Sequence, residues 1–344
     1  MNTENFLTID EAYGFNSLNH TQTRDGLLFT IKSAVTETYI LKPVTEGFER
    51  KKFIYSVHNY LNNRGFLNTD RIILTKSNEL TVNINDKRYI CNKVVSGRQA
   101  SVDNLQDAKT AARLLACMHN SGDGFTTERA ATLNKTVVCE SEINYVKNDL
   151  GQLQELFEHR CKELTRFNKL AARGKGVFDY EYMSIADKYC NKAEELCHAL
   201  KESKYEEISE NYRKTGAVCH KDFAFHNVIL SDSYKSGIIN FDQASIDLPL
   251  FDLTNLIKRR MKKCGWHVSE AYEILEEYSR LRELSKYEIE IMRIVLGFPQ
   301  KLWRIVNKYY NTRRYWCEKS CLMKLSEIES ENDIINKFIK EFTF

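Results

Sequence analysis

Cys219-His-Lys-Asp-Phe-Ala-Phe-His-Asn-Val-Ile-Leu230 decides the fold of this chain, together with Gly237-Ile-Ile-Asn-Phe-Asp242 and Asp247-Leu-Pro-Leu-Phe-Asp252 downstream. Two β-branched runs, Val228–Leu230 and Gly237–Ile239, flank a polar turn at Ser231–Ser236, which is the pattern of a β-hairpin. Polar residues sit where each strand meets a loop. His220, Asp222 and Asn227 precede the first strand, and Asn240 and Asp242 follow the second. A hairpin returns both of its ends to one side, so these groups are predicted to converge. Asp222 and Asn227 are five residues apart, and Asn240 lies thirteen further on.

At 344 residues the chain is long for a single core, and two lobes or two domains are expected. A hydrophobic content of 42% and a charged content of 28% fit an ordinary globular protein. The net charge is +3, from 50 basic and 47 acidic residues, so no bulk field draws the chain to nucleic acid or a membrane. Met1–Phe15 lacks the basic and apolar regions of a signal peptide, and no apolar run nears the ~20 residues that span a bilayer. A protein made in the cytoplasm is expected. The ten cysteines contain no C-x-x-C pair and read as small buried hydrophobes rather than disulfides or zinc ligands.

Upstream of the hairpin, Leu27–Lys32 and Glu37–Lys42 are predicted strands, with turns at Thr21–Gly26 and Ser33–Thr36. No G-x-G-x-x-G is present; Thr23–Gly26 is a shorter candidate for a phosphate loop. Phe53, Ile54, Val57 and Leu61 have helical spacing within Phe48–Leu61. Arg71–Leu74, Leu80–Ile84 and Arg88–Val95 are predicted strands joined by turns at Ser77–Asn78 and Asn85–Asp86, with a hinge at Cys91–Gly97. Helices are predicted from Asp103 to Gly122–Gly124, at Ser141–Ala172 and at Tyr182–Ser203. Beyond the hairpin they are predicted at Leu253–Cys264, Val268–Ser285, Glu288–Leu296, Leu302–Tyr310 and Leu322–Phe342. Lys258, Arg259, Arg260, Lys262 and Lys263 form a basic run, read as a solvated helix face with polyanion binding as the alternative. Trp303, Val306 and Tyr310 form a core stripe.

The loop His220-x-Asp222-x-x-x-x-Asn227, the Ile238-Ile-Asn-Phe-Asp242 segment and the trailing Asp247-x-Pro-x-x-Asp-Leu253 resemble the aminoglycoside phosphotransferase and choline kinase superfamily. Tyr39-Ile-Leu-Lys-Pro-Val44, Glu49-Arg50, Phe225-His-Asn227 and Phe298-Pro-Gln-Lys-Leu-Trp303 resemble the CotS-type spore coat proteins of endospore-forming bacteria. The resemblance runs over nearly the whole chain. It implies an α+β, protein-kinase-like bilobal fold: a nucleotide-binding lobe over 1–96, and a mainly helical catalytic lobe over 97–344 with the catalytic hairpin at 219–242.

The resemblance also implies site roles. Lys42 would bind the phosphates of ATP, with Glu49 as its support; the other reading of Glu49 is an acid complementing the helix dipole. Asp222 would orient the acceptor hydroxyl and take its proton, with His220 bracing the loop. Asn227, Asn240 and Asp242 would hold magnesium, and Asp252 would hold the loop backbone. Two positions depart from the pattern. Lys221 replaces a glycine, and Asn240 replaces a carboxylate, which weakens a site for a hard cation. The implied function is phosphoryl transfer from ATP to a hydroxyl of a small molecule or coat component, in a pocket shaped by the helices between Ser141 and Ser203. The alternative is a pseudokinase kept as a structural protein of the spore coat. Nucleotide and other coat proteins would be its partners, without nucleic acid or membrane.

Overall fold

The computed structural model describes residues 3–23, 26–31, 37–44, 47–135, 146–231, 235–312 and 314–344. The chain divides into two compact units. The first comprises Met1–Asp149, Tyr212–Leu256 and Glu276–Arg282; the second comprises Leu150–Asn211, Ile257–Leu275 and Glu283–Phe344.

The first unit opens with α1 (Thr3–Tyr13), β1 (Ser17–Gln22), β2 (Leu27–Ile31), β3 (Glu37–Pro43), α2 (Phe48–Asn63), β4 (Ile72–Ile73), β5 (Val82–Ile84) and β6 (Lys87–Lys93). The strands form an antiparallel sheet in the order β1-β2-β3-β6-β4, with β5 also paired to β6. Along β2, Leu27, Phe29 and Ile31 are buried and the residues between them are half-buried, the period of two that a one-faced strand requires. Leu41, Val82, Ile84 and Cys91 complete that apolar face, and Ile9 and Tyr13 of α1 cover it. Helix α1 and strand β1 were not expected from the sequence. Thr21 and Gln22, expected in a turn, instead pair with Leu28 and Leu27. The turn expected at Ser33–Thr36 lies outside the described residues, as do residues 24 and 25 of Thr21–Gly26. Asn85 and Asp86, at φ 49° and 60°, form the tight turn between β5 and β6. Asparagine and aspartate tolerate this left-handed backbone better than most residues. In α2, Phe53, Ile54, Val57 and Leu61 are buried, as their spacing predicts.

After β6 the chain forms β7 (Arg98–Gln99), α3 (Leu105–Gly122) and α4 (Thr127–Lys135). Gly97 has φ +149°, and a Cβ there would stand 2.3 Å from the Leu230 carbonyl oxygen, so only glycine admits the close approach of β7 to the hairpin. The Asn104 side chain caps α3 by accepting from Gln106 N at 2.9 Å.

The remaining elements are α5 (Leu153–Ala171), α6 (Val177–Glu202), α7 (Tyr205–Thr215), β8 (Val218–Cys219), β9 (Val228–Leu230), β10 (Gly237–Ile238), β11 (Ser245–Ile246), α8 (Leu250–Cys264), α9 (Val268–Ser279), α10 (Lys286–Gly297), α11 (Gln300–Asn311) and α12 (Arg314–Glu341). Strands β9 and β10 pair antiparallel with Ile229 opposite Gly237, and β7 extends their sheet. Of the predicted hairpin turn, residues 232–234 lie outside the described residues, as do residues 141–145 of the helix predicted from Ser141.

The helix predicted over Val268–Ser285 ends at Ser279. Ser285 instead caps α10: its hydroxyl accepts from Glu288 N at 3.2 Å while the Glu288 carboxylate accepts from Ser285 N at 2.9 Å, a reciprocal capping box. In the second unit, α5, α6, α11 and α12 bury Phe167, Phe178, Tyr182, Leu302, Val306, Tyr309 and Leu325. Phe178 stacks on Tyr309 at 3.8 Å and Phe157 on Phe298 at 3.7 Å. Each large apolar side chain buried here stabilises the unit by roughly 1.5–3 kcal/mol. Among the described residues no helix is long and apolar enough to cross a membrane.

Candidate active site

The loop ahead of β9 hangs on one buried carboxylate. Asp252, in the first turn of α8, is fully buried and accepts from the backbone N–H groups of His220 at 2.6 Å and Lys221 at 2.8 Å. His119 Nε2 lies 3.3 Å from the same carboxylate, and His119 Nδ1 meets the Tyr278 hydroxyl at 2.7 Å. Burial alone would raise the Asp252 carboxyl. The hydrogen bond from His119, the nearby imidazoles and the His220 amide outweigh it and hold the group below the usual range. The sequence gives no sign of His119 and Tyr278, which carry no local pattern and acquire their roles only through packing. His119, Cys219 and Asp252 place ligand-type atoms within 4.8 Å of one another. Asp252 is committed to two amides, and the Cys219 thiol, pushed well up by burial, contacts the Asp247 carbonyl at 3.1 Å. The trio is therefore a brace.

Lys221 adopts φ 65°, a left-handed backbone that glycine takes up without the strain a side chain brings. Its ammonium is ion-paired with Asp247 and lies 3.2 Å from Asp149. Burial opposes its charge, but the two carboxylates prevail and raise the Lys221 ammonium above its ordinary value. His220 Nε2 reaches the Ile239 carbonyl at 2.9 Å, and its ring meets Phe241 edge-on at 4.8 Å, so it joins the start of the loop to the far strand. Asn227 Nδ2 donates to the Asp222 carbonyl at 2.9 Å, and the Asn227 carbonyl accepts from Ile239 N at 2.9 Å. The Asp222 side chain is left half-buried at the loop surface.

At the other end of the hairpin, Asn240 sits at φ 66° with its N–H donating to Asp70 Oδ2 at 3.0 Å. Its side-chain amide donates to Asn227 Oδ1 at 3.4 Å. The fold thus brings His220, Asp222, Asn227 and Asn240 together. Asp242 is turned to Lys51 of α2, at 2.6 Å, with its side chain 54% exposed. Arg50 Nε and Nη2 donate to the Asp242 carbonyl at 3.0 and 2.8 Å and tie α2 to the hairpin end. Lys42 lies on β3 opposite Ile90, half-buried and without an ion pair among the described residues. Glu49 pairs with Lys52 at 2.7 Å, and no ion pair joins it to Lys42. Its Oε2 is buried without a hydrogen-bond partner among the described residues.

The donors offered to a divalent ion are the side-chain oxygens of Asn227, Asn240 and Asp242. They fit magnesium in kind, since it takes oxygen ligands and is commonly held by one or two carboxylates together with substrate phosphates. They offer a single carboxylate, and that carboxylate is paired with Lys51. An exposed ion pair contributes only about 0–1 kcal/mol, so a dication could displace the ammonium at little cost.

The sheet order, the helix packed after β3 and the buried carboxylate holding a His-x-Asp loop ahead of a hairpin define a protein-kinase-like fold. Solved structures agree. An aminoglycoside phosphotransferase from Alicyclobacillus acidocaldarius subsp. acidocaldarius DSM 446 superposes with a TM-score of 0.77 at 20% identity, over 98% of this chain and 94% of that one. The spectinomycin phosphotransferase APH(9)-Ia, in complex with ADP and spectinomycin, superposes with a TM-score of 0.57 at 11% identity, over 99% and 98%. The chain belongs to the family described as "Spore coat putative kinase YutH", whose sequence profile matches residues 7–342. It is also 23% identical over 300 residues to spore coat protein S of Bacillus subtilis (strain 168), covering 86% of this chain and 81% of that protein.

Proposed function

We propose that this protein binds ATP and transfers its γ-phosphoryl group to a hydroxyl of a small molecule or coat component, at the spore coat of an endospore-forming bacterium after synthesis in the cytoplasm. The observation that carries this reading is the fully braced loop: Asp252, His220 and Asn227 fix the backbone on both sides of Asp222 and leave its carboxylate half-buried at the surface. A carboxylate held this way can orient a hydroxyl and take its proton. Lys42, on the sheet, would meet the phosphates, and the lobe boundary at residues 96/97 would separate nucleotide binding from acceptor binding. Asn227 and Asp242 would hold magnesium, which supplies charge neutralisation on the phosphates when bound.

A second reading, a pseudokinase serving as a coat interaction module, is favoured by Asn240 in place of a carboxylate and by the Lys51–Asp242 ion pair. Thermal unfolding with ATP, with and without magnesium, tests both readings alongside ATP turnover. For the enzyme, ATP with magnesium raises the melting temperature by several degrees and Asp222→Ala abolishes turnover while leaving the melting temperature unchanged. A shift indifferent to magnesium, with no turnover in either form, establishes the pseudokinase. No shift at saturating ATP, with no turnover, removes the enzyme and leaves the structural coat module.

A further inference from the structure

A cavity in the first unit has no role in the loop and hairpin. It has a volume of about 160 Å³ and lies between α2 and the β4 segment, lined by His58, Asn59 and Asn62 on the helix and by Arg71, Ile73 and Leu74 on the segment. A space of this order admits a benzene-sized molecule. Its polar groups are held close together. His58 and Asn62 stand one helical turn apart, with Cβ atoms about 5–6 Å from each other. Asn62 Oδ1 in turn accepts from Arg71 Nη1 at 3.1 Å.

These groups are not used up by the fold. Asn62 takes Arg71 Nη1 and leaves the Nε–Nη2 edge of the guanidinium. Nε is buried with no hydrogen-bond partner among the described residues, and Arg71 has no ion pair there. Glu37, whose charge Arg71 feels, is already paired with Lys93 at 2.8 Å. His58 is only 2% exposed, and neither of its ring nitrogens has a hydrogen-bond partner among the described residues. Its Nε2 lies 3.6 Å from Asp70 Oδ1, beyond hydrogen-bond reach, and Asp70 is outside the lining. A carboxylate that close favours the ring proton on Nε2 and leaves Nδ1 with a lone pair. Buried polar groups left without partners cost stability, and a ligand that supplies the partners recovers it.

We propose that this cavity binds a small α-hydroxy acid. The planar carboxylate matches the Nε–Nη2 edge of Arg71, which can donate two parallel hydrogen bonds to it. The hydroxyl donates to His58 Nδ1, and a short branched chain packs on Ile73 and Leu74. Burial keeps His58 neutral at neutral pH, so Arg71 is the one cation among the lining residues. A single cation suits a monoanion better than a phosphate dianion.

The test is isothermal titration calorimetry of the whole, nucleotide-free protein with α-hydroxyisovalerate. Two analogues each lack one feature: isovalerate lacks the hydroxyl, and α-hydroxyisovaleramide lacks the charge. The hydroxy acid should bind one to one with a Kd of about 1 mM or tighter. Each analogue should bind about tenfold more weakly or worse. Arg71→Gln should bind acid and amide equally weakly. Asn59→Leu, which fills the cavity with an apolar side chain, should lose binding. It should melt no lower than the parent, because leucine is the better helix former, and that baseline separates loss of the site from loss of the fold. Lys42→Ala, altered at the proposed nucleotide site, should bind as the parent does. The proposal is overturned if the hydroxy acid gives no binding heat above that of potassium chloride, or if either analogue binds as well. It is also overturned if binding survives both Arg71→Gln and Asn59→Leu, or if Lys42→Ala abolishes it.

Discussion

Lys221 carries two opposing demands. Its left-handed backbone costs a side chain about 1–2 kcal/mol relative to glycine. Its ammonium neutralises Asp247, whose side chain is only 2% exposed. Removing one partner of a buried pair costs about 3–5 kcal/mol, because the other charge stays buried and unmatched. The ion pair therefore outweighs the strain. Lys221→Gly is expected to destabilise the protein by a net ~2 kcal/mol, read as a lower urea midpoint at unchanged slope, although glycine relieves the backbone strain. Competing charges also govern the proposed metal position. Lys51 holds Asp242, the single carboxylate among its three proposed ligands, at 2.6 Å. Lys51→Ala should lower the magnesium concentration needed for the ATP-dependent thermal shift, and Asn240→Asp should lower it further by adding a second carboxylate. If neither variant changes the magnesium response, Asn240 and Asp242 are not metal ligands.

Among the elements, α2 decides the geometry of the hairpin end, because Arg50 holds the carbonyls of Asp242 and Ala244. Arg50→Ala should leave α2 helical, since its apolar stripe of Phe53, Ile54, Val57 and Leu61 is untouched. Amide exchange over residues 240–244 should rise. Unchanged exchange there would show that the clamp is not what orders the segment. This link was not legible in the sequence, where Arg50 and Asp242 stand 192 positions apart. Legible features were those with a local period or turn chemistry: the α2 stripe, the Asn85–Asp86 turn and the β9–β10 hairpin. Helix α1 escaped because its apolar positions matter only once the sheet offers them a face. The break in Val268–Ser285 was encoded in Ser285 and Glu288, whose capping geometry outweighs a continuous polar-apolar rhythm. In the site, the spacing of Asp222, Asn227 and Asn240 foretold their convergence. The partner of Glu49 is Lys52, three residues on in the same helix and so a matter of helical spacing, whereas His119 reaches Asp252 only through packing.

For the molecule as a whole, acid sensitivity follows from a histidine beside the hairpin. His58 of α2 is buried, meets Phe241 edge-on at 4.9 Å and has its Nε2 3.6 Å from Asp70 Oδ1. Burial pushes its pKa from 6.5 down to about 4, with the attraction of Asp70 and Asp242 only partly offsetting the loss of water. Above pH 6.5 the imidazole is neutral in both folded and unfolded chains and does not affect the balance. As pH falls from 6.5 toward 4, the unfolded chain takes up a proton that the folded chain refuses, so stability is lost across that window. Each pH unit within the window costs about 1.4 kcal/mol, so the loss approaches ~3 kcal/mol, a large part of the marginal stability of a folded domain. The buried His119 is also depressed, burial again outweighing the pull of Asp252, and it adds to the same slope. His58→Gln should therefore cost stability at neutral pH through altered packing, yet flatten the acid slope by about one proton. Urea unfolding of both proteins at about pH 7 and about pH 4.5, on either side of most of that window, measures this directly. The gap between wild type and variant should narrow or invert at the lower pH. An equal gap at both pH values would mean that folding does not hold His58 neutral, and the acid sensitivity would then belong to His119 and its carboxylate.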